Sequence, residues 1–304
     1  MKGARHTSTH NKGTHNKGTH NKGTHNKGTQ SKRTRNLIQL LLIVVLFVVN
    51  GAITQAEPIS NKSLHWGLKR SVNHEPPDAG AVHNNNLQKY GSFYLGDTTK
   101  KDIYLTFDNG YENGYTEEIL DVLKKKDVPA AFFVTGHYLT KNEDLIKRMV
   151  DEGHIIGNHS WHHPDLTQVS DTRLAKELNL IKEEYERQTG RTDMMYLRPP
   201  RGIYSERTLK LSQQLGYVNV FWSLAYIDWY TDRQKGWRYA YDNIMKQIHP
   251  GAIILLHAVS EDNAKALSNV IDDLRKEGYT FKSLDDLMFE RSIPKPLLYQ
   301  QYFK

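Results

Sequence analysis

Five ionisable side chains in this sequence each stand at the end of an apolar run. Asp108 follows "IYLTF", His159 closes "HIIGN", Arg198 ends "MYL", Asp228 trails "FWSLAYI" and His257 ends "AIILL". Between them they offer a carboxylate that could take a proton, an imidazole that could give one, and a guanidinium that could pair with Asp108 and keep it ionised. His163 lies four residues beyond His159 in "HSWHHP", a spacing that can aim both rings at one metal ion. Pro164 biases His163 away from helical dihedrals, so the pair is expected on a turn. His162 and His154 read as bystanders by spacing. "RPPRG", residues 198–202, is a rigid turn whose backbone N–H groups could face an oxyanion, or simply a tight strand-to-helix connection. His257 is equally readable as a satisfied core histidine. Tyr226, Trp222 and Trp229 suit a core as well as a sugar face.

The elements that must carry these residues can be read from periodicity. Strand-like runs recur at 103–107, 130–136, 154–160, 195–198, 218–224, 252–258 and 279–281. Amphipathic stretches with helical spacing lie between them, such as "TEEILDVLKKK", where Ile119, Val122 and Leu123 share a face and Thr116 can cap. "NEDLIKRMVDEG", "DTRLAKELNLIKEEYERQTG", "SERTLKLSQQLG" and "DNAKALSNVIDDLRKEG" behave alike and end in glycine, as helix stops do. Such alternation implies an α/β fold with parallel strands and right-handed crossovers, either a (β/α) barrel or an open doubly wound sheet. In both, ligands gather beyond the C-terminal ends of the strands, where the five side chains stand.

Charge is distributed unevenly. The net charge of +7 belongs to residues 1–36, which hold nine Lys/Arg and no acid; from Glu57 on, 32 Lys/Arg face 34 Asp/Glu. The basic balance therefore argues for no nucleic-acid partner. Residues 1–36 contain four copies of "THNKG", a five-residue period with nothing apolar to bury, and read as a disordered basic tail. Residues 37–49, "LIQLLLIVVLFVV", come after Lys32, Arg33 and Arg35. They are short for a membrane span and typical of a signal-peptide core, with "TQA" offering cleavage after Ala56. Residues 37–56 are thus a signal peptide or an uncleaved signal anchor, and the chain from Glu57 onward is expected to be exported. Residues 57–98 read as an irregular leading segment, 99–290 as the catalytic domain and 291–304 as a tail. The chain has no cysteine, which excludes disulfide and thiolate chemistry.

Taken in order, "TFDNG", "HSWHH", "RPPRG", "AYIDW" and "LLH" resemble the motifs of the polysaccharide deacetylases, the family-four carbohydrate esterases with a NodB homology domain. The resemblance covers about residues 60–290. "WGLKRSVNHEPPDAG", "TFDNGYENGY" and "FKSLDDLMFE" look like the delta-lactam-biosynthetic de-N-acetylase branch, which acts on N-acetylmuramic acid in peptidoglycan during spore cortex formation. It implies a distorted (β/α) barrel of about seven parallel strands and hydrolytic removal of an acetyl group. By the same resemblance, Asp108 is the general base, and His159 and His163 hold a divalent ion (zinc or similar). The backbone N–H of Arg201 stabilises the oxyanion, His257 protonates the leaving amine and Arg198 orients Asp108. Leu255 and Trp229 wall the acetyl pocket, with Asp228 and Tyr226 beside the substrate. The implied partners are peptidoglycan glycan strands, and the membrane if residues 37–53 stay uncleaved.

Two positions depart from the family pattern. Asn109 replaces the aspartate that usually ligates the ion, so binding should weaken. Ala225 replaces the aspartate that usually sets the catalytic histidine, so His257 should be less basic. These departures keep a catalytically silent glycan-binding domain in view. Deacetylation of N-acetylglucosamine polymers is a further reading. A glycosidase using Asp108 and Asp228 is the last, and it leaves "HSWHH" unexplained.

Overall fold

In the computed structural model, residues 59–292 and Gln39 are described. The described fold lies within the unit Ile59–Lys304. The expected tail, signal segment and C-terminal tail lie outside the described residues, apart from Gln39, Arg291 and Ser292. Among the described residues no helix is long and apolar enough to cross a membrane.

The chain runs β1 (Leu64–His65), α1 (Ala81–Lys89), β2 (Asp102–Asn109), α2 (Thr116–Lys126), β3 (Ala130–Val134), α3 (Gly136–Lys141), α4 (Glu143–Asp151) and β4 (Ile155–Asn158). It continues through α5 (Asp171–Thr189), β5 (Tyr196–Leu197), β6 (Ile203–Tyr204), α6 (Glu206–Gln214), β7 (Val218–Asn219) and α7 (Trp237–Gln247). The last elements are β8 (Ile253–His257), α8 (Glu261–Lys276), β9 (Thr280–Phe281) and α9 (Leu284–Ser292). Seven strands form one parallel sheet in the order β7-β5-β4-β3-β2-β8, with β9 pairing β2. Between β7 and β8 the ring is completed by single bridges, Phe93 to Val220, Leu224 to Ile254 and Leu95 to Ala252. The distorted barrel implied by the family resemblance is therefore the architecture, closed by bridges rather than by a full ladder.

Alternation along the strands separates two cores. Ile103, Leu105 and Phe107 of β2 point to the helices and pack with Ile119, Leu123 and Leu267. Tyr104 points into the barrel beside Phe133, Tyr196 and Ile253. Gly157 of β4 leaves room for Phe133: a Cβ there would stand 2.5 Å from its ring. Gly157→Ala should cost about 1–3 kcal/mol by overpacking. A urea-unfolding midpoint unchanged by the substitution would show that this layer is not close-packed.

The expected helices are present, and Gly153, Gly190, Gly216 and Gly278 end them at positive φ. Thr116 does not cap α2 from its first turn. Instead Glu112 accepts the Gly114 and Thr116 N–H groups and the Thr116 hydroxyl. The leading segment is less irregular than its composition suggests. It forms α1, whose "NNN" hides the period because only Leu87 is buried. It also forms β1, which pairs antiparallel with β6 beside the "RPPRG" turn.

Candidate functional site

β2 and β8 lie side by side with Asp108 directly opposite His257. Both face a cavity of about 770 Å³ at the C-terminal rim, also lined by His159, His163, Trp161 and Trp229. Four chain segments far apart in sequence thus converge where barrel geometry places function.

Arg198 is fully buried and donates from Nη1 to Asp108 Oδ1 at 2.7 Å, from Nε to the Val220 carbonyl, and lies 4.1 Å from the Phe133 ring centroid. Burial works to raise the Asp108 pKa. The charge of Arg198, with that of His257 and the Arg198 hydrogen bond, outweighs it and holds the carboxyl below its ordinary range. Asp108 is ionised at neutral pH, as a base must be.

His159 donates from Nδ1 to the Arg198 carbonyl at 2.8 Å, which leaves its Nε2 lone pair free. That Nε2 stands 3.2 Å from His163 Nε2 and 3.4 Å from Asp108 Oδ2. Burial keeps His159 below its usual pKa, and burial above all pushes His163 down to about 4. Two uncharged imidazoles are ready to ligate. Two nitrogens bound at about 2.0–2.1 Å to one tetrahedral ion stand about 3.3 Å apart, so the pair fits two corners of such a shell. Among the described residues no group of three or more His, Cys, Asp or Glu side chains is assembled as a metal site.

Asn109 is not brought to this pair. It comes one residue after Asp108 in β2, so its side chain points to the helix layer, fully buried against the Tyr138 hydroxyl. Neither amide atom has a hydrogen bond of ordinary geometry, and Asn109 is absent from the cavity wall. The expected weakening of an ion at Asn109 thus has no ligand contact to act through.

The expectation for His257 is overturned. His257 Nδ1 donates to Asp228 Oδ1 at 2.7 Å and its backbone N–H donates to Oδ2 at 2.8 Å. Burial opposes charge on the ring, but the charge and hydrogen bond of Asp228, with Asp108 adding, raise its pKa. Asp228 thus supplies His257 with an anion although position 225 is alanine. Asp228 is correspondingly removed from the substrate face: it is buried and also accepts Asn263 Nδ2. Tyr226 is likewise turned inward, with its hydroxyl bonded to Asn263. Leu255 lies two residues below His257 in β8, buried and off the wall, whereas Trp229 lines the cavity as expected. A glycosidase pair of Asp108 and Asp228 fails for the same reason, since Asp228 is buried behind His257 and does not line the cavity.

Arg201 stands at φ 57 in a turn closed by the Gly202 N–H and the Pro199 carbonyl. Gly202, at φ 66, has no room for a Cβ between Trp222 and Trp66. The leading segment thus buttresses this turn. The Arg201 charge reaches His163 and depresses its pKa. Sequence spacing missed Glu177, buried in α5, whose carboxylate takes hold of His162. The only signal was a glutamate falling among Leu174, Leu178 and Ile181 on the apolar face.

Residues 95–220 match the family model described as polysaccharide deacetylase. The chain is 58% identical over 248 residues to the peptidoglycan-N-acetylmuramic acid deacetylase PdaA of Bacillus subtilis, spanning 82% of this chain and 94% of that protein. It is 31% identical over 210 residues to a peptidoglycan-N-acetylglucosamine deacetylase of Bacillus cereus, spanning 68% and 74% respectively. The solved structure of Bacillus subtilis PdaA, described as a family 4 carbohydrate esterase, is similar with a TM-score of 0.76 at 59% identity. That match covers 77% of this chain and 100% of that one.

Proposed function

The chain belongs to the polysaccharide deacetylase family, and from that premise we propose that its cavity removes the acetyl group from N-acetylmuramic acid in peptidoglycan. One observation carries the chemistry. Asp108 and His257 sit abreast on neighbouring strands with pKa values displaced in opposite directions, one ready to accept a proton and the other to donate.

His159 and His163 would hold a divalent cation, which polarises a carbonyl and acidifies water. Asp108, kept anionic by Arg198, takes a proton from water as its oxygen bonds to the acetyl carbon. The backbone N–H of Arg201 faces the oxyanion. His257, charged through Asp228, gives its Nε2 proton to the nitrogen as the C–N bond breaks, so acetate and a free amine leave. Trp229 closes one side of the pocket.

The choice of sugar rests on similarity to PdaA and on Arg201. N-acetylmuramic acid differs from N-acetylglucosamine by a lactyl carboxylate. Arg201 is exposed, its charge reaches His163, and no other described residue engages its side chain by ion pair or hydrogen bond. Such a substrate lies outside the cytoplasmic membrane, consistent with residues 37–56 acting as a signal or anchor. The test is mass spectrometry of glycan strands, with and without stem peptides, after incubation with the full chain. Acetyl loss is expected on muramic residues; loss confined to glucosamine residues would reassign the substrate.

A further inference from the structure

The loop that carries both imidazoles has a costly backbone. Ser160 and His163 stand at φ 63 and φ 56, a region that costs a non-glycine residue about 1–3 kcal/mol and persists only where surroundings dictate it. Local bonds supply part of that constraint: Ser160 N–H donates to Asn158 Oδ1 and His163 N–H to Ser160 Oγ. From outside the loop, the Gly136 N–H donates to the Trp161 carbonyl, and α5 holds the next residue, His162.

Glu177 is fully buried there, a position where a carboxylate must have partners to persist. Its Oε2 accepts the His162 backbone N–H at 2.7 Å. Its Oε1 faces His162 Nδ1 at 2.9 Å and Arg173 at 2.6 Å, and its own carbonyl accepts the Trp161 N–H. Burial raises the Glu177 pKa, but the two His162 bonds and Arg173 more than offset it, so the group is an anion that can only accept. With its hydrogen on Nδ1 the His162 ring donates to Glu177 Oε1, and Arg173 Nη2 stands 3.1 Å from the same nitrogen. One carboxylate thus fixes the main chain of His162 and its ring orientation, immediately before the left-handed residue His163.

We propose that Glu177 is the positioning residue for His163, setting the backbone from which its Nε2 meets that of His159. The proposal rests on reading His159 and His163 as cation ligands. A carboxylate that merely glued the loop to α5 would contribute to global stability alone. A positioning carboxylate also governs cation affinity and local order in the loop.

The test compares the full chain with Glu177→Ala, Glu177→Gln and His163→Ala, by calorimetric titration with zinc and by amide hydrogen exchange without it. Glu177→Ala should weaken zinc binding about 10–100-fold, the usual effect of removing a group that orients a ligand. Exchange at His162 and His163 should quicken about tenfold or more while Phe107 and Leu256 keep their rates. Glu177→Gln keeps an acceptor for the His162 N–H and should recover part of both. Unchanged affinity and unchanged loop exchange in folded Glu177→Ala overturn the proposal; if that variant does not fold, Glu177→Gln matching the wild type in both overturns it. Zinc uptake that survives His163→Ala, or is absent from the wild type, removes the ligand reading instead. Exchange at 162–163 then decides: acceleration supports positioning, and no change overturns it.

Discussion

Asp108→Asn is expected to lower kcat by about 10²–10⁴, the span a positioned general base supplies. The amide keeps the shape of the carboxylate but cannot take a proton from water. The substitution should also be costly to the fold. Arg198 is fully buried, Asp108 is its only ion-pair partner among the described residues, and its Nη2 already lacks a hydrogen bond. Leaving a buried charge unpaired costs about 3–5 kcal/mol. Combining Asp108→Asn with Arg198→Met removes that charge, so urea unfolding should regain stability while acetate release stays lost. Near-normal kcat in folded Asp108→Asn would remove this residue from the mechanism.

Asp228→Asn should move the alkaline limb of the pH–rate profile. His257 must be protonated to donate, so activity is present below its raised pKa and lost as pH climbs through it. Without the Asp228 anion, burial dominates and the pKa falls. A hydrogen bond to a charged group is worth about 1.5–3 kcal/mol, so its loss should move the limb to lower pH. Above both limbs the variant should be slower by about 10–100-fold, with the deficit shrinking in mild acid. An unmoved limb would mean that His257 does not depend on Asp228 for its proton.

These residues were legible in the sequence to different degrees, for physical reasons. Asp108, His159, Arg198 and His257 end apolar runs, and the fold places such residues on one rim whatever the details of closure. The direction of a side chain at a strand end depends on alternation. Asn109 therefore seemed to accompany Asp108, although one residue reverses the face. The Asp228–His257 pair was hidden because Asp228 lies in the connection after Leu224, where no period fixes orientation. The deficit implied at Ala225 is met by Asp228, three residues on. Glu177 was invisible because its partner is a backbone N–H fifteen residues earlier in a turn. Helix α7 went unread because "WRYAYDNIMKQ" buries only Ala240, Ile244 and Gln247, too few apolar positions to declare a face.

The central claim is that one cavity joins the Asp108 base, the histidine pair and the Asp228-charged His257 into a hydrolase of acetamido sugars. The most direct measurement is acetate released from peptide-free muramoyl glycan by the full chain supplied with a divalent cation, with new amines and new reducing ends counted in the same sample. Acetate and amine should appear in equal amounts without new reducing ends. No acetate across a series of cations, or reducing ends in its place, would contradict the account.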